Sequence, residues 1–135
     1  MCVNAMNDAQ ILTLVDRLER CLLGNQEFHH RDHLGVAVVY LYGGDMDSAV
    51  ERMRGTLKRF AAHHNVPKLY HETLTRFWIQ QVEQRLDRTK CLQDSVREVQ
   101  AALPDKKLAL RFYSQEVLGS AEARAGWVEP NMEGK

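Results

Sequence analysis

A chain of 135 residues with 44% hydrophobic and 27% charged side chains has the composition of an ordinary globular domain. Its 18 basic and 18 acidic residues cancel, which argues against a nucleic-acid-binding surface or an acidic tail. The first residues lack the pattern of a signal peptide and no apolar run approaches the ~20 residues of a membrane span. Three widely spaced cysteines without a CxxC motif favour a reducing, cytoplasmic location.

Hydrophobic periodicity predicts an all-α fold, with residues 1–135 forming a single helical domain built as a four-helix-type bundle with additional short C-terminal helices. Residues 1–6 are expected to fray, and residues 114–135 form a tail. The predicted helices cover, in chain order, about 8–23, 30–42, 45–64, 67–89, 95–103 and 105–113, with short helical pieces at 115–118 and 121–125.

The run from Leu34 to Tyr42 could also be a buried strand, because β-branched residues crowd it. We interpret it as a helix, because the sequence offers no second strand candidate that could pair with it. A helix that is apolar on all sides is expected to lie at the centre of the fold.

All six histidines lie between positions 29 and 71, in three groups. The first group opens predicted helix two, the second closes helix three, and the third opens helix four. Short loops join these helices, so neighbouring helices are expected to be antiparallel. The three groups should therefore meet at one end of the bundle and form one polar site.

The spacing of the histidines is suited to metal binding. His30 and His33 are i,i+3 neighbours on a helix, and His29 and His33 are i,i+4 neighbours, so either pair could place two imidazoles on one ion. His64 and His71 could complete three or four nitrogen ligands. The predicted cofactor is a divalent transition metal, and zinc, iron, manganese, nickel and copper all remain open.

Glu72 is the carboxylate predicted to act in this site, together with its neighbour His71. It could be an oxygen ligand, a general base, or the group that fixes the tautomer of a metal-bound histidine. Asp32 is a weaker candidate for the last role. Tyr70 is a candidate for contact with a substrate.

These residues favour a small metal-dependent enzyme, a lyase, hydrolase or oxygenase, that acts on a small organic molecule. One alternative is a metal-free lyase or isomerase that uses His71 and Glu72. Another is a binding or regulatory module whose histidines sense a metal, a ligand or pH. The predicted partner is a small-molecule substrate, without nucleic acid or membrane, and a homodimer remains open.

The tail is predicted to return along the bundle toward the histidines. Residues 113–130 could then cap the pocket, with Tyr113 near the substrate, Arg124 as a partner for a substrate carboxylate or phosphate, and Trp127 as a wall that excludes water. The alternative is that Trp127 only pins the C-terminus to the core.

Several segments resemble a family of small bacterial all-helical proteins, and the resemblance extends over about residues 28–130. The segments are Phe28–Leu34, Arg59–His64, Tyr70–Thr75, Phe112–Ser114 and Ala123–Pro130. The resemblance implies no activity, but it implies that the functional residues of the family fall on His30, His33, His64, His71 and Glu72. The plan is also similar to DinB-type helical bundles, which hold a metal at one end, although the ligand spacing differs from theirs.

Overall fold

The computed structural model describes residues 6–134, which form seven α-helices and two 3-10 turns. The helices are α1 Asp8–Glu19, α2 His30–Tyr42, α3 Met46–His63, α4 Glu72–Arg85, α5 Leu92–Ala102, α6 Gln115–Leu118 and α7 Ala121–Ala125, and the 3-10 turns are Pro67–Leu69 and Leu108–Arg111. Residues 6–134 contain no strand, so the all-α prediction is confirmed. The predicted fraying of the N-terminus falls, apart from Met6, outside the described residues.

Helix α2 lies at the centre of the fold, as its apolar sequence predicts. It packs against α1, α3, α4 and α5. Leu34, Val36, Ala37, Val38 and Leu41 are each 1% exposed or less. A helix that is buried on several sides needs apolar residues on all of them, and its predicted bounds of 30–42 agree with the structure.

Helix α1 ends four residues before the predicted end at Leu23. Cys21 adopts the left-handed conformation, with φ of 57°. The N–H of Leu22 donates to the carbonyl of Arg17 at 2.7 Å, and the N–H of Cys21 donates to the carbonyl of Leu18 at 3.1 Å. This pair of bonds closes a Schellman motif. The prediction missed it because the left-handed position is usually occupied by glycine.

The prediction that Pro67 opens the fourth helix is wrong. Pro67 opens a 3-10 turn instead, and the chain is extended at Tyr70, with φ of −61° and ψ of 138°. His71 then caps α4, because its Nδ1 accepts a hydrogen bond from the N–H of Leu74 at 3.1 Å. The predicted sixth helix over 105–113 is likewise reduced to the turn at Leu108–Arg111.

A polar cluster ties α1, α2 and α3 together. The hydroxyl of Tyr40 donates to Glu19 at 2.7 Å and lies 2.9 Å from Oγ1 of Thr56. Arg52 completes the cluster with a hydrogen bond to Glu19 at 3.1 Å and lies over the ring of Tyr40. These contacts satisfy the buried hydroxyl groups, which would otherwise destabilise the core.

The tail packs against α4. The hydroxyl of Thr73 donates to the carbonyl of Gly126 at 2.8 Å and accepts from the N–H of Val128 at 3.2 Å. The buried Tyr113 donates to the carbonyl of Val128 at 2.6 Å.

The described helices are all too short or too polar to cross a membrane.

Candidate functional site

The starts of α2 and α4 and the end of α3 lie close together, as the antiparallel arrangement predicts. Phe28, just before α2, contacts Phe60 of α3, with 5.9 Å between ring centroids. His30 of α2 contacts Trp78 of α4 at 4.6 Å, and His33 lies 5.9 Å from Phe28. The histidine-bearing segments are therefore neighbours in the fold.

A cavity of about 290 Å³ opens between these segments, and we call it the His33 cavity. Its apolar walls are Leu57, Phe60, Ala61, Val66, Leu69, Leu74 and Trp78. Its polar lining residues are Asn25, His33, Tyr70, His71 and Thr75. The volume is at the lower end of the range for sites that hold small organic molecules.

His33 has an unsatisfied nitrogen. Its Nε2 is buried and has no hydrogen-bond partner among the described residues. Burial, with a smaller contribution from the charge of neighbouring His30, lowers the pKa of His33 to about 4. The ring is therefore neutral at pH 7, and this side chain, which lines the cavity, keeps one buried nitrogen without a partner among the described residues.

His71 lines the same cavity, but both of its ring nitrogens are engaged. Because Nδ1 accepts from the N–H of Leu74, Nε2 carries the proton of the neutral ring, and it donates to the carbonyl of Leu118 at 2.7 Å. Burial lowers the pKa of His71; the bond to Leu118 opposes this shift, and the charge of Arg124 adds to it. His71 therefore has no free nitrogen for a ligand or a proton.

His30 and His64 are each held by a distant carbonyl. Nε2 of His30 donates to Leu103 at 2.9 Å, and Nε2 of His64 donates to Leu23 at 2.9 Å. A carbonyl oxygen can only accept, so both Nε2 atoms carry protons. Neither residue lines the His33 cavity.

His29 is exposed and precedes α2. Its backbone N–H donates to the carboxylate of Asp32 at 3.0 Å. Asp32 therefore caps the first turn of α2, where a negative charge is favourable. The predicted role of Asp32 in orienting a metal-bound histidine stays a prediction from the sequence.

The predicted metal ligands are not gathered around one point. A metal-bound histidine often donates its second N–H to a backbone carbonyl, so the bonds of His30 and His64 would leave their Nδ1 atoms available. Within residues 6–134, however, no group of three or more His, Cys, Asp or Glu side chains lies close enough to hold a metal ion. The described side chains therefore give no support to the metal centre, which stays a prediction from the sequence.

Glu72 forms an ion pair with Arg54. Its carboxylate accepts from Arg54 through two bonds of 2.8 and 2.6 Å, and from the hydroxyl of Tyr70 at 2.6 Å. These bonds from Arg54 lower the pKa of Glu72; burial opposes the shift, and Tyr70 adds to it. A carboxylate held in this way is a poor general base.

The tail does not line the His33 cavity, whose walls come from residues 25–78. Trp127 lies instead beside Arg76 and Tyr113, with 5.2 Å from the guanidinium and 6.4 Å between the aromatic rings. Arg124 donates to the carbonyl of Lys68 at 3.0 Å. The predicted cap therefore packs against the start of α4 and does not cover the His33 cavity.

Trp78 and Arg54 belong to the site but were not predicted from the sequence. Trp78 lies seven positions after His71, which places both on one face of α4. That spacing is visible in the sequence and could have identified Trp78 as a neighbour of His71. The pairing of Arg54 with Glu72 depends on how α3 and α4 pack, which the spacing within either helix does not specify.

No protein-family model, curated protein or solved structure matches this chain. The resemblance to a bacterial family and the likeness to DinB-type bundles therefore stay predictions from the sequence.

Proposed function

We propose that this protein binds a small, mainly apolar organic molecule in the His33 cavity, with His33 as its hydrogen-bonding partner. One observation carries the proposal: Nε2 of His33 is buried without a partner and its ring lines the cavity. The other cavity histidine, His71, already uses both nitrogens.

An unsatisfied buried nitrogen costs roughly 1–3 kcal/mol of stability. A ligand that carries a hydroxyl, carbonyl or amide would provide the missing partner and recover that cost as binding free energy. Native proteins leave few buried polar atoms unpaired, and an unpaired atom in a side chain that lines a cavity is a reason to expect a ligand there.

The residues that line the His33 cavity indicate the chemistry of the ligand group that would bind there. The described residues that line the His33 cavity include no Lys, Arg, Asp or Glu. The walls are aliphatic and aromatic, and Trp78 and Phe60 offer flat surfaces for a ring. We therefore expect a neutral aromatic or aliphatic group with one hydrogen-bonding atom.

Binding is a better supported function than acid–base turnover. With a pKa near 4, His33 is a weak base at pH 7. Glu72 and His71, the predicted catalytic pair, are held by Arg54, Tyr70 and Leu118.

The metal-dependent enzyme predicted from the sequence is the weaker proposal. It would require His30, His33, His64 and His71 to rearrange before three of them could reach one ion. The cytoplasmic location stays a prediction from the sequence. Whether the protein forms a homodimer stays open.

The test uses 4-methylphenol and toluene, a pair of probes that differ by one hydroxyl. NMR titration of the indole signal of Trp78 should show that 4-methylphenol binds about tenfold more tightly. His33→Phe should remove that preference, because it keeps a ring but lacks Nε2. His63→Phe, at an exposed position, is the matched control and should retain it. Equal affinities in the unmodified protein would contradict the proposal.

A further inference from the structure

We infer that the ligand also carries an anionic group, a carboxylate or a phosphate, which binds in a second cavity beside the first. This inference rests on the proposed function of the His33 cavity. The second cavity has a volume of about 720 Å³ and its lining includes Lys58, Lys68, Tyr70 and Arg124. We call it the basic cavity, because the described residues that line it include three cations and no acid.

Tyr70 lines both cavities, so the two are neighbours in the structure. Its hydroxyl is fixed by the bond to Glu72 at 2.6 Å. The amino group of Lys58 lies 5.2 Å from the centre of the Tyr70 ring. A ligand that extends past this ring from the His33 cavity would therefore enter the basic cavity.

The local charge is strongly positive, although the chain as a whole has a formal net charge of zero. Glu72 accepts a hydrogen bond from the hydroxyl of Tyr70, and Arg54 neutralises it through a two-bond ion pair. The charge of Lys58 also contributes to the lowered pKa of Glu72, and all three cations, Lys58, Lys68 and Arg124, line the basic cavity. Concave surfaces of one sign concentrate ligands of the opposite sign.

Arg124 is positioned to take part in anion binding. One terminal nitrogen donates to the carbonyl of Lys68 at 3.0 Å, which holds the side chain across the 3-10 turn. The planar guanidinium retains further N–H groups that match a carboxylate or phosphate. Its charge also contributes to the lowered pKa of His71, so it acts close to the His33 cavity.

In this proposal the tail contributes to the anion-binding site and does not act as a lid over the His33 cavity. Helix α7 and the residues beside it form one wall of the basic cavity, through Ala121, Arg124 and Ala125. The opposite wall comes from the end of α3 and the following 3-10 turn, through Lys58 and Lys68. A ligand with an apolar end and an anionic end would contact both.

The experiment compares 4-hydroxyphenyl carboxylic acids, with one, two or three methylene groups before the carboxylate, and their uncharged amides. The best acid should bind at least about tenfold more tightly than its amide, because a charged acceptor makes stronger hydrogen bonds. Raising the ionic strength to about 0.5 M should reduce this advantage. The titrations follow Trp78 by NMR, as for the neutral probes.

Two variants and a control locate the effect. Lys58→Gln and Lys68→Gln should each weaken binding of the best acid roughly threefold to tenfold and leave binding of its amide unchanged. Lys68→Gln keeps the backbone carbonyl that holds Arg124. Lys107→Gln, at an exposed position outside this cavity, should have no effect.

The outcomes separate the two proposals. If 4-methylphenol binds but every acid binds no better than its amide, the anionic group is ruled out and the proposed function stands. If neither 4-methylphenol nor any acid binds, both proposals fail. If the acids bind better but Lys107→Gln weakens them as much as Lys58→Gln does, the effect is general attraction and the basic cavity is not the site.

Discussion

His71 joins the first turn of α4 to the C-terminal tail, because its Nε2 donates to the carbonyl of Leu118 at 2.7 Å. Leu118 lies 47 positions later in the chain. The same ring accepts from the N–H of Leu74 and so caps the helix. One imidazole therefore stabilises both a helix terminus and the packing of a distant segment.

Replacing His71 by alanine should lower the free energy of unfolding by about 1–3 kcal/mol, through the lost cap and the unpaired Leu118 carbonyl. His71→Asn should lower it less, because asparagine is a good cap but is too short to make the second bond. Both variants should speed hydrogen exchange in residues 115–125. Urea unfolding and hydrogen exchange measure these effects.

His63→Ala is the control, because His63 is exposed. It should change the stability by no more than about 0.5 kcal/mol. Unchanged hydrogen exchange in the tail of His71→Ala would show that the bond to Leu118 does not hold the tail.

The central helix was predictable because its evidence is local. The apolar run from Leu34 to Tyr42, which ends at Gly43, specifies both the helix and its burial. The end of α1 was not predictable in this way, since Cys21 adopts a conformation that its residue type does not favour. The start of α4 was missed because histidine is an uncommon cap.

The site was predictable in position but not in its contacts. The order and direction of the helices place the histidines together, and His33 and His71 do share a cavity. The carbonyl partners of His30 and His64 lie 73 and 41 positions away. No helical spacing reports such contacts, so the sequence suggested free ligands where the structure has hydrogen bonds.

The stability of the protein should fall as the pH is lowered from about 6.5 to about 4. His33 has a pKa of about 4 in the folded protein and about 6.5 in an unfolded chain. Across this range the unfolded state binds more protons, so acid favours unfolding. The lowered pKa of His71 acts in the same direction.

The expected loss is on the order of 1–3 kcal/mol, measured by urea unfolding at a series of pH values. His33→Phe should make the dependence shallower over the same interval. NMR titration of the His33 ring reports its pKa directly. A value near 6.5 would show that the ring is solvated, and would remove the basis for an unsatisfied buried nitrogen.

Replacing Glu72 by glutamine should destabilise the protein by about 1–3 kcal/mol, because Arg54 and the hydroxyl of Tyr70 lose a charged acceptor. Tyr70→Phe is the matched variant. It removes one of the three bonds to the carboxylate and should cost less, about 1 kcal/mol.

If Glu72 were instead a catalytic base, Glu72→Gln would leave the stability unchanged or raise it. Active sites often carry residues that cost stability, and their replacement can relieve that cost. Urea unfolding of the two variants, measured beside the unmodified protein, distinguishes the structural role from the catalytic one.

The central claim is that a small molecule occupies the cavity between His33 and Trp78, and intermolecular NOEs with 4-methylphenol test it most directly. We expect NOEs from the ring protons of the probe to Trp78, Phe60 and Leu57, which line the cavity, with a change in the Nε2 chemical shift of His33. NOEs confined to other surfaces, or an unchanged Nε2 shift at saturating probe, would contradict the account.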